Sequence, residues 1–394
     1  MSAPTFRDVR AAAEKLAPEL EALARRIQAH PEVGFAEIQA AAWLSDFLER
    51  YGFAVERGVG GVATAFRASL GAGRGPTVAV LAEYDALPGI GHGCGHHLIA
   101  GAAAGAGALV AATAGAGLPG RVQVIGTPAE EGGGGKIALL DAGVFAGVDA
   151  AVMIHPFSRT RMHEDLLGRS KIVVEFLGKG AHAAAYPDAG INALDALLLH
   201  FQHVAQMRQQ LRPDVRIHGV ITHGGDAPNV IPAHTAAVFY VRALAGDVLR
   251  DVVRRFEACA RGAARATGCE ARIAPERFLY EPMRTNPVLA EAFREHLHAL
   301  GVEEDLPAPR PALASSDVGN VSQVLPALHA WIGVLEPGHP DVPLHTPEFR
   351  EASATPFALE RMRAAATALA LTALDVVHDP GCLAEVQAAF ATGH

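Results

Sequence analysis

Two kinds of hydrophobic pattern follow one another along the chain, and their order predicts the architecture. Residues 6–29 place apolar positions at helical spacing among charged ones and end at His30-Pro31, which predicts an amphipathic helix. A second helix is expected from about Glu37 to Tyr51, stopped by Gly52. Short strands are expected at 53–57 and 62–68, and the apolar run at 77–83 reads as a buried strand. An uncharged Ala/Gly-rich stretch follows, long enough for a helix. Then come a strand at 121–126, a short helix at about 136–142 and a strand at 148–154 that ends in His155-Pro156. Strands alternating with helices over the first 160 residues predict a mostly parallel, helix-covered sheet.

Near Gly168 the pattern changes. It reads strand 171–177, helix 191–208, strand 215–222, strand 235–243, helix 247–267 and strand 270–278. That β-α-β-β-α-β order is the ferredoxin-like arrangement. Beyond Pro282 the α/β character returns, with helices at 287–300 and 356–377 around a strand at 328–334. The expected fold is α/β: one domain in two pieces, 1–168 and 282–394, interrupted by an inserted ferredoxin-like domain at 169–281.

Composition removes some functions. With 33 basic and 42 acidic residues the formal charge is −9, and no basic run is present, so nucleic acid is not an expected partner. Leu98 to Gly120 carries no charge and contains a GxxxG at Gly101 and Gly105, long enough to span a bilayer. It is mostly Ala and Gly and follows a polar loop directly, so a buried helix lying close against the sheet is expected and a membrane is not. The four cysteines, Cys94, Cys259, Cys269 and Cys382, are irregularly spaced, form no disulfide framework and fit a reducing compartment. The charged, amphipathic N-terminal stretch has no apolar core of a signal peptide, so a cytoplasmic location is expected.

The chemistry concentrates in residues 78–101, VAVLAEYDALPGIGHGCGHHLIAG. The apolar run turns acidic at Glu83 and Asp85, breaks at Pro88-Gly89 and then delivers His92, Cys94, His96 and His97. The loop after a buried strand is where an α/β sheet holds ligands and catalytic groups. Thiol and imidazole are the usual ligands of zinc-like ions, at ~2.3 Å and ~2.0 Å. Cys94 and His96 are too close in sequence to share one helical face, so the loop must aim both at one point. Other donors stand at further strand ends: Glu130-Glu131, His155, and His345 in PLHTPEF. The set suits two borderline divalent ions. Of two adjacent glutamates, one could bind metal while the other stands free as a base.

GIGHGCGHH, TPAEE, MIHP, NVIP and LHTPEF, in this order around an inserted β-α-β-β-α-β unit, resemble the dinuclear metal amidohydrolases of the aminoacylase/carboxypeptidase family. The branch resembled contains hippurate hydrolase, the auxin–amino-acid conjugate hydrolases, aminobenzoyl-glutamate hydrolase and β-alanyl-lysine dipeptidase. The resemblance implies two divalent ions (zinc, manganese or cobalt) bridged by Cys94, with His96 and His155 completing one position and Glu131 and His345 the other. It implies Glu130 as general base and Asp85 as the acid that orients the site. His182 in GKGAHAAAYP would reach into the partner subunit's site and polarise the scissile carbonyl, so the resemblance implies that 169–281 is a lid and dimerisation domain, that 1–168 and 282–394 form the catalytic domain, and that the protein is a homodimer through the lid. Asn229 and Arg242 would bind a substrate carboxylate, the substrate being an N-acyl amino acid or a dipeptide. His97 departs from the family, where Asp or Asn is common, and is not counted among the ligands. His92, His223 and His339 are read as loop residues.

Two other readings compete. A cysteine hydrolase with Cys94 as nucleophile and His96 as base leaves Glu130, Glu131 and His345 without a task. An inactive metal-binding relative is argued against by Glu130 standing beside all five presumed ligands.

Overall fold

In the computed structural model, which describes residues 3–71, 75–307 and 314–392, every residue of the apolar run Thr77–Ala82 is buried. The chain begins with α1 (Phe6–Ala29), α2 (Ile38–Arg50), β1 (Ala54–Arg57), β2 (Phe66–Leu70) and β3 (Thr77–Ala82). Then come α3 (His96–Thr113), β4 (Arg121–Gly126), α4 (Gly135–Asp141) and β5 (Ala150–Phe157). The middle of the chain is β6 (Gly168–Leu177), α5 (Ala193–Arg208), β7 (Arg216–His223), β8 (His234–Ala243), α6 (Gly246–Thr267) and β9 (Glu270–Pro275). It closes with α7 (Pro287–Ala299), α8 (Val318–Val324), β10 (Ala327–Gly333), α9 (Pro347–Ala352), α10 (Pro356–His378) and α11 (Pro380–Ala391). Contacts divide these residues into two units, the second made of Asp165–Met283 and residues 314–319.

The first unit holds a six-stranded sheet in the order β1-β2-β4-β3-β5-β10. β4, β3, β5 and β10 run parallel, while β1 and β2 add an antiparallel edge. The expected mostly parallel, helix-flanked sheet is therefore what forms. β3 and β10 are buried throughout because both their faces are covered. Several boundaries differ from expectation. A turn over residues 62–65, in which the Ala65 N–H donates to the Val62 carbonyl at 2.9 Å, delays β2 to Phe66, and β5 runs on through His155 to Phe157.

By length and composition α3 could cross a bilayer, but 15 of its 18 residues, His96 to Val110, are buried within this unit. Its small residues serve two surfaces rather than the sheet alone. A Cβ on Gly105 would press into Leu20 of α1 and Ala366 of α10, whereas one on Gly107 would meet Val124 of β4. Interiors packed to crystal-like density leave no room for such additions.

The second unit is a four-stranded antiparallel sheet, order β7-β8-β6-β9, with α5 and α6 in the crossovers. β6 and β8 alternate strictly between buried and half-buried positions, so Phe176, Phe239 and Val241 pack with Leu197 and Phe256 of the helices. The opposite face of β8 carries Tyr240 and Arg242.

His200 of α5 is fully buried in that core, 4.7 Å from Phe256 and 5.3 Å from Phe239 between ring centroids, and neither ring nitrogen has a hydrogen-bond partner. Burial pushes its pKa down to about 4. The folded state thus keeps His200 neutral while the unfolded chain takes up a proton below ~6.5, so stability falls as pH drops from 6.5 towards 4. We predict that the wild type loses roughly 2 kcal/mol through this group between pH 7 and pH 5, and that His200→Leu abolishes that share. Urea unfolding at both pH values measures it; equal pH sensitivity in the two proteins would show that His200 contributes nothing.

Candidate active site

The loops that follow β3, β4 and β10, together with the end of β5, lie at the carboxyl ends of the parallel strands, where open α/β sheets form their crevices. The β3 loop turns through Gly95 in the left-handed conformation, and α3 starts at His96. That turn lets Cys94 and His96 reach the same point although one residue apart.

The second loop holds Glu130 and Glu131. Ala129 takes φ +57°, an uncommon conformation for a residue with a side chain, and swings the two glutamates out of line with β4. The turn is held by Glu37, whose Oε1 accepts the Ala129 N–H at 2.8 Å. Glu37 is fully buried, and burial lifts its pKa to about 7. Gly135 closes the loop where any Cβ would fall on the Pro128 carbonyl. In the fourth segment His345 also has positive φ, +65°, and its N–H donates to the Gly93 carbonyl at 3.0 Å, fixing it to the first loop.

These segments bring all five sequence-derived donors together as two triplets that share one thiol. Donor atoms of Cys94, His96 and His155 lie within 4.8 Å of one another, and so do those of Cys94, Glu131 and His345. A third group joins Glu83, His96 and Glu130.

Charge and hydrogen bonds orient the donors. Asp85 Oδ1 accepts from His96 Nδ1 at 3.0 Å and its Oδ2 from the Glu131 N–H at 3.0 Å, so one buried carboxylate fixes two donors and turns His96 Nε2 inward. Burial disfavours the Asp85 charge, but His96 outweighs it and the carboxyl stays below its ordinary range. Burial likewise opposes charge on His96, yet Asp85, Cys94 and Glu83 raise its pKa well above normal. His155 is pushed down to about 4 by burial and the His96 charge, with its Nδ1–H donated to the Pro156 carbonyl at 2.8 Å. Burial raises the Cys94 thiol well above its usual value. Glu131 is held low despite its burial by the His345 hydrogen bond and the His96 charge. The Glu131 bond in turn raises half-exposed His345.

The donor set fits divalent metal. His96 Nε2, Glu131 Oε1 and Glu83 Oε2 are buried without any hydrogen-bond partner, a costly arrangement for polar atoms unless a cation joins them.

Other sequence candidates fall elsewhere. His97 bonds the Ser353 carbonyl at 3.0 Å and belongs to none of the donor groups. His92 is buried rather than exposed and ties the loop to the Ile27 carbonyl of α1. His223 stacks on His234, and His339 contacts Pro340. In the second unit, exposed His182 pairs by a backbone bridge with Val230, next to Asn229. Arg242 bonds the Ser315 hydroxyl at 3.1 Å, and its Nε is buried without a hydrogen-bond partner among the described residues. Sequence reasoning missed Glu83, Lys136 and Glu37. Glu83 and Lys136 form a fully buried pair, and a lysine in a Gly-rich loop was the available signal.

Residues 79–369 match the sequence profile of peptidase family M20/M25/M40. The chain belongs to this family. It is 39% identical to Xaa-Arg dipeptidase from Mus musculus, over 97% of this chain and 91% of that protein. It is 31% identical to a p-aminobenzoyl-glutamate hydrolase polypeptide from Escherichia coli (strain K12), over 93% and 90% respectively. The fold is shared with the Bacillus subtilis YXEP protein, a dinuclear metal-binding peptidase of family M20, at a TM-score of 0.70 and 21% identity, covering 92% of this chain and 99% of that one. As an M20 member with these relatives, the chain is a hydrolase of peptide or amide bonds.

Proposed function

We propose that this hydrolase cleaves the amide bond of a dipeptide or N-acyl amino acid, with two divalent ions (zinc, manganese or cobalt) held by Cys94, His96, His155, Glu131 and His345. The observation that carries the reading is the sharing of the Cys94 thiol between two donor triplets. Such ions, when bound, lower the pKa of water from 15.7 towards ~7 and polarise a carbonyl. Glu130 takes the proton of the attacking water and returns it to the leaving amine, a role typically worth ~10²–10⁴-fold. Asp85 keeps His96 in the tautomer whose Nε2 is free to ligate. The identity to a dipeptidase favours a dipeptide over other amides.

In the same proposal the four-stranded unit is a ferredoxin-like lid and dimerisation domain, and the chain works as a cytoplasmic homodimer. Four free cysteines suit a reducing compartment. β7 is an edge strand with Val220 and Ile221 exposed, a surface that pairing with a second copy would cover. The partner subunit's His182 polarises the scissile carbonyl, while Asn229 and Arg242 bind the substrate carboxylate. Among the described residues the Arg242 Nε has no hydrogen-bond partner, which leaves a donor for an anion.

Chelation tests the metal half of the proposal. Turnover of dipeptides and N-acyl amino acids should vanish after metal is stripped and return with added Mn or Zn. Chelator-resistant turnover by metal-free protein would instead favour Cys94 as nucleophile. Its buried thiol, with a raised pKa, is the opposite of an activated cysteine.

A further inference from the structure

We propose that Glu83 is a sixth protein ligand of the metal site, beside His96, and that buried Lys136 aims it there. The inference rests on the metal-dependent reading above and adds a residue to it. Glu83 stands one position past β3 and is fully buried. Its Oε1 accepts from Lys136 Nζ at 2.5 Å, which fixes the carboxylate plane. Its Oε2 has no hydrogen-bond partner and lies 3.5 Å from His96 Nε2, which has none either.

That separation is long for a hydrogen bond but matches the spacing of two ligands on one ion. Donors each ~2.1 Å from a metal at a tetrahedral angle are about 3.4 Å apart. Asp85 already occupies His96 Nδ1, so Nε2 is the atom left to ligate. A carboxylate oxygen facing it at this distance is a fellow ligand or the ion-pair partner of a protonated His96. Were Glu83 only the counter-ion of Lys136, the second oxygen would remain buried and unpaired, at a cost of ~1–3 kcal/mol or more for a charged group.

Lys136 solves the charge problem that a further carboxylate creates. Cys94, Glu131 and Glu83 together would crowd negative charge into a buried space. The Lys136 ammonium offsets the Glu83 share without competing for Oε2. Carboxylate oxygen also moves this position towards harder ions that accept more than four ligands, such as Mn, and away from an all-thiolate-and-imidazole zinc site.

The test uses Co(II) as the probe on chelator-stripped full-length protein, read by metal per chain, chelator-competition affinity and the visible spectrum. Wild type should take up two equivalents. Lys136→Met keeps the Glu83 carboxylate and should keep the tighter equivalent within a few-fold of wild type. Glu83→Gln combined with Lys136→Met should weaken that equivalent by at least about 10-fold and change the Co(II) spectrum. Because removing Lys136 unbalances buried charge, Glu83→Asp provides the same test with the pair kept: the oxygen withdraws by one methylene, and the same loss is expected. Equal affinities and identical spectra for wild type, Glu83→Asp and the double variant would make Glu83 a structural counter-ion and overturn the inference, leaving the metal reading intact. A wild type that takes up no Co(II) would overturn both.

Discussion

Glu130→Gln is expected to keep the fold and both metal equivalents while losing ~10²–10⁴-fold in kcat, because the change removes a proton carrier and no ligand. Its neighbour should behave differently. Glu131→Gln removes a carboxylate whose Oε2 lies 3.3 Å from His345 Nε2 and whose Oε1 is buried without a partner. That variant should lose metal affinity, by at least about 10-fold, before its turnover can be judged. The contrast matters because Glu130 is itself within 4.8 Å of His96 and Glu83 donor atoms. Metal content of the two variants, measured alongside kcat, separates the roles. Loss of metal from Glu130→Gln with retention in Glu131→Gln would mean that the two roles are exchanged.

The five donors were legible in the sequence because ligating residue types crowd into loops after apolar runs, and Cys94, His96 and His345 sit in motifs dense with them. Their convergence was not legible from spacing, since it depends on turns that only the fold reveals. The positive φ values at Ala129 and His345 occur at residues that seldom adopt them. Glu83 and Lys136 escaped for another reason. Their partnership spans 53 positions, and each alone looks like a charge marking the end of an element. Glu37 reaches Ala129 across 92 positions and read simply as the start of a helix.

The α/β alternation followed from apolar runs that need no partner to be recognised, but α9 and α11 did not. α9 and α11 both begin with a capping residue followed by proline, Thr346-Pro347 and Asp379-Pro380, a start signal without a long apolar stripe behind it. β2 moved because the residues that would have begun it, 62–65, close a turn instead, with the Ala65 N–H bonded to the Val62 carbonyl.

The second large effect concerns assembly. Glu130→Ala and His182→Ala should each be nearly inactive alone, yet their co-expression should restore activity. In a heterodimer, one site combines an intact Glu130 with the partner subunit's intact His182, and the other site has neither. Random pairing makes half the dimers heterodimers with one working site of two, so roughly a quarter of wild-type activity should return under two-fold assembly. Separately tagged chains, purified through both tags, give the heterodimer directly, where about half is expected. A doubly purified heterodimer that stays inactive would place His182 within its own chain's chemistry or outside it.

The sharing of Cys94 between two triplets also bears on how the enzyme is made. One triplet ends at His155, before the four-stranded unit begins, whereas the other waits for His345, near the end of the chain. A ribosome that has passed β5 has already released every donor of the first triplet, but the second cannot exist until almost the whole polypeptide has emerged. On the proposed two-ion reading, the first ion would have the synthesis of about half the chain in which to find its place, and the second would enter only a nearly finished protein.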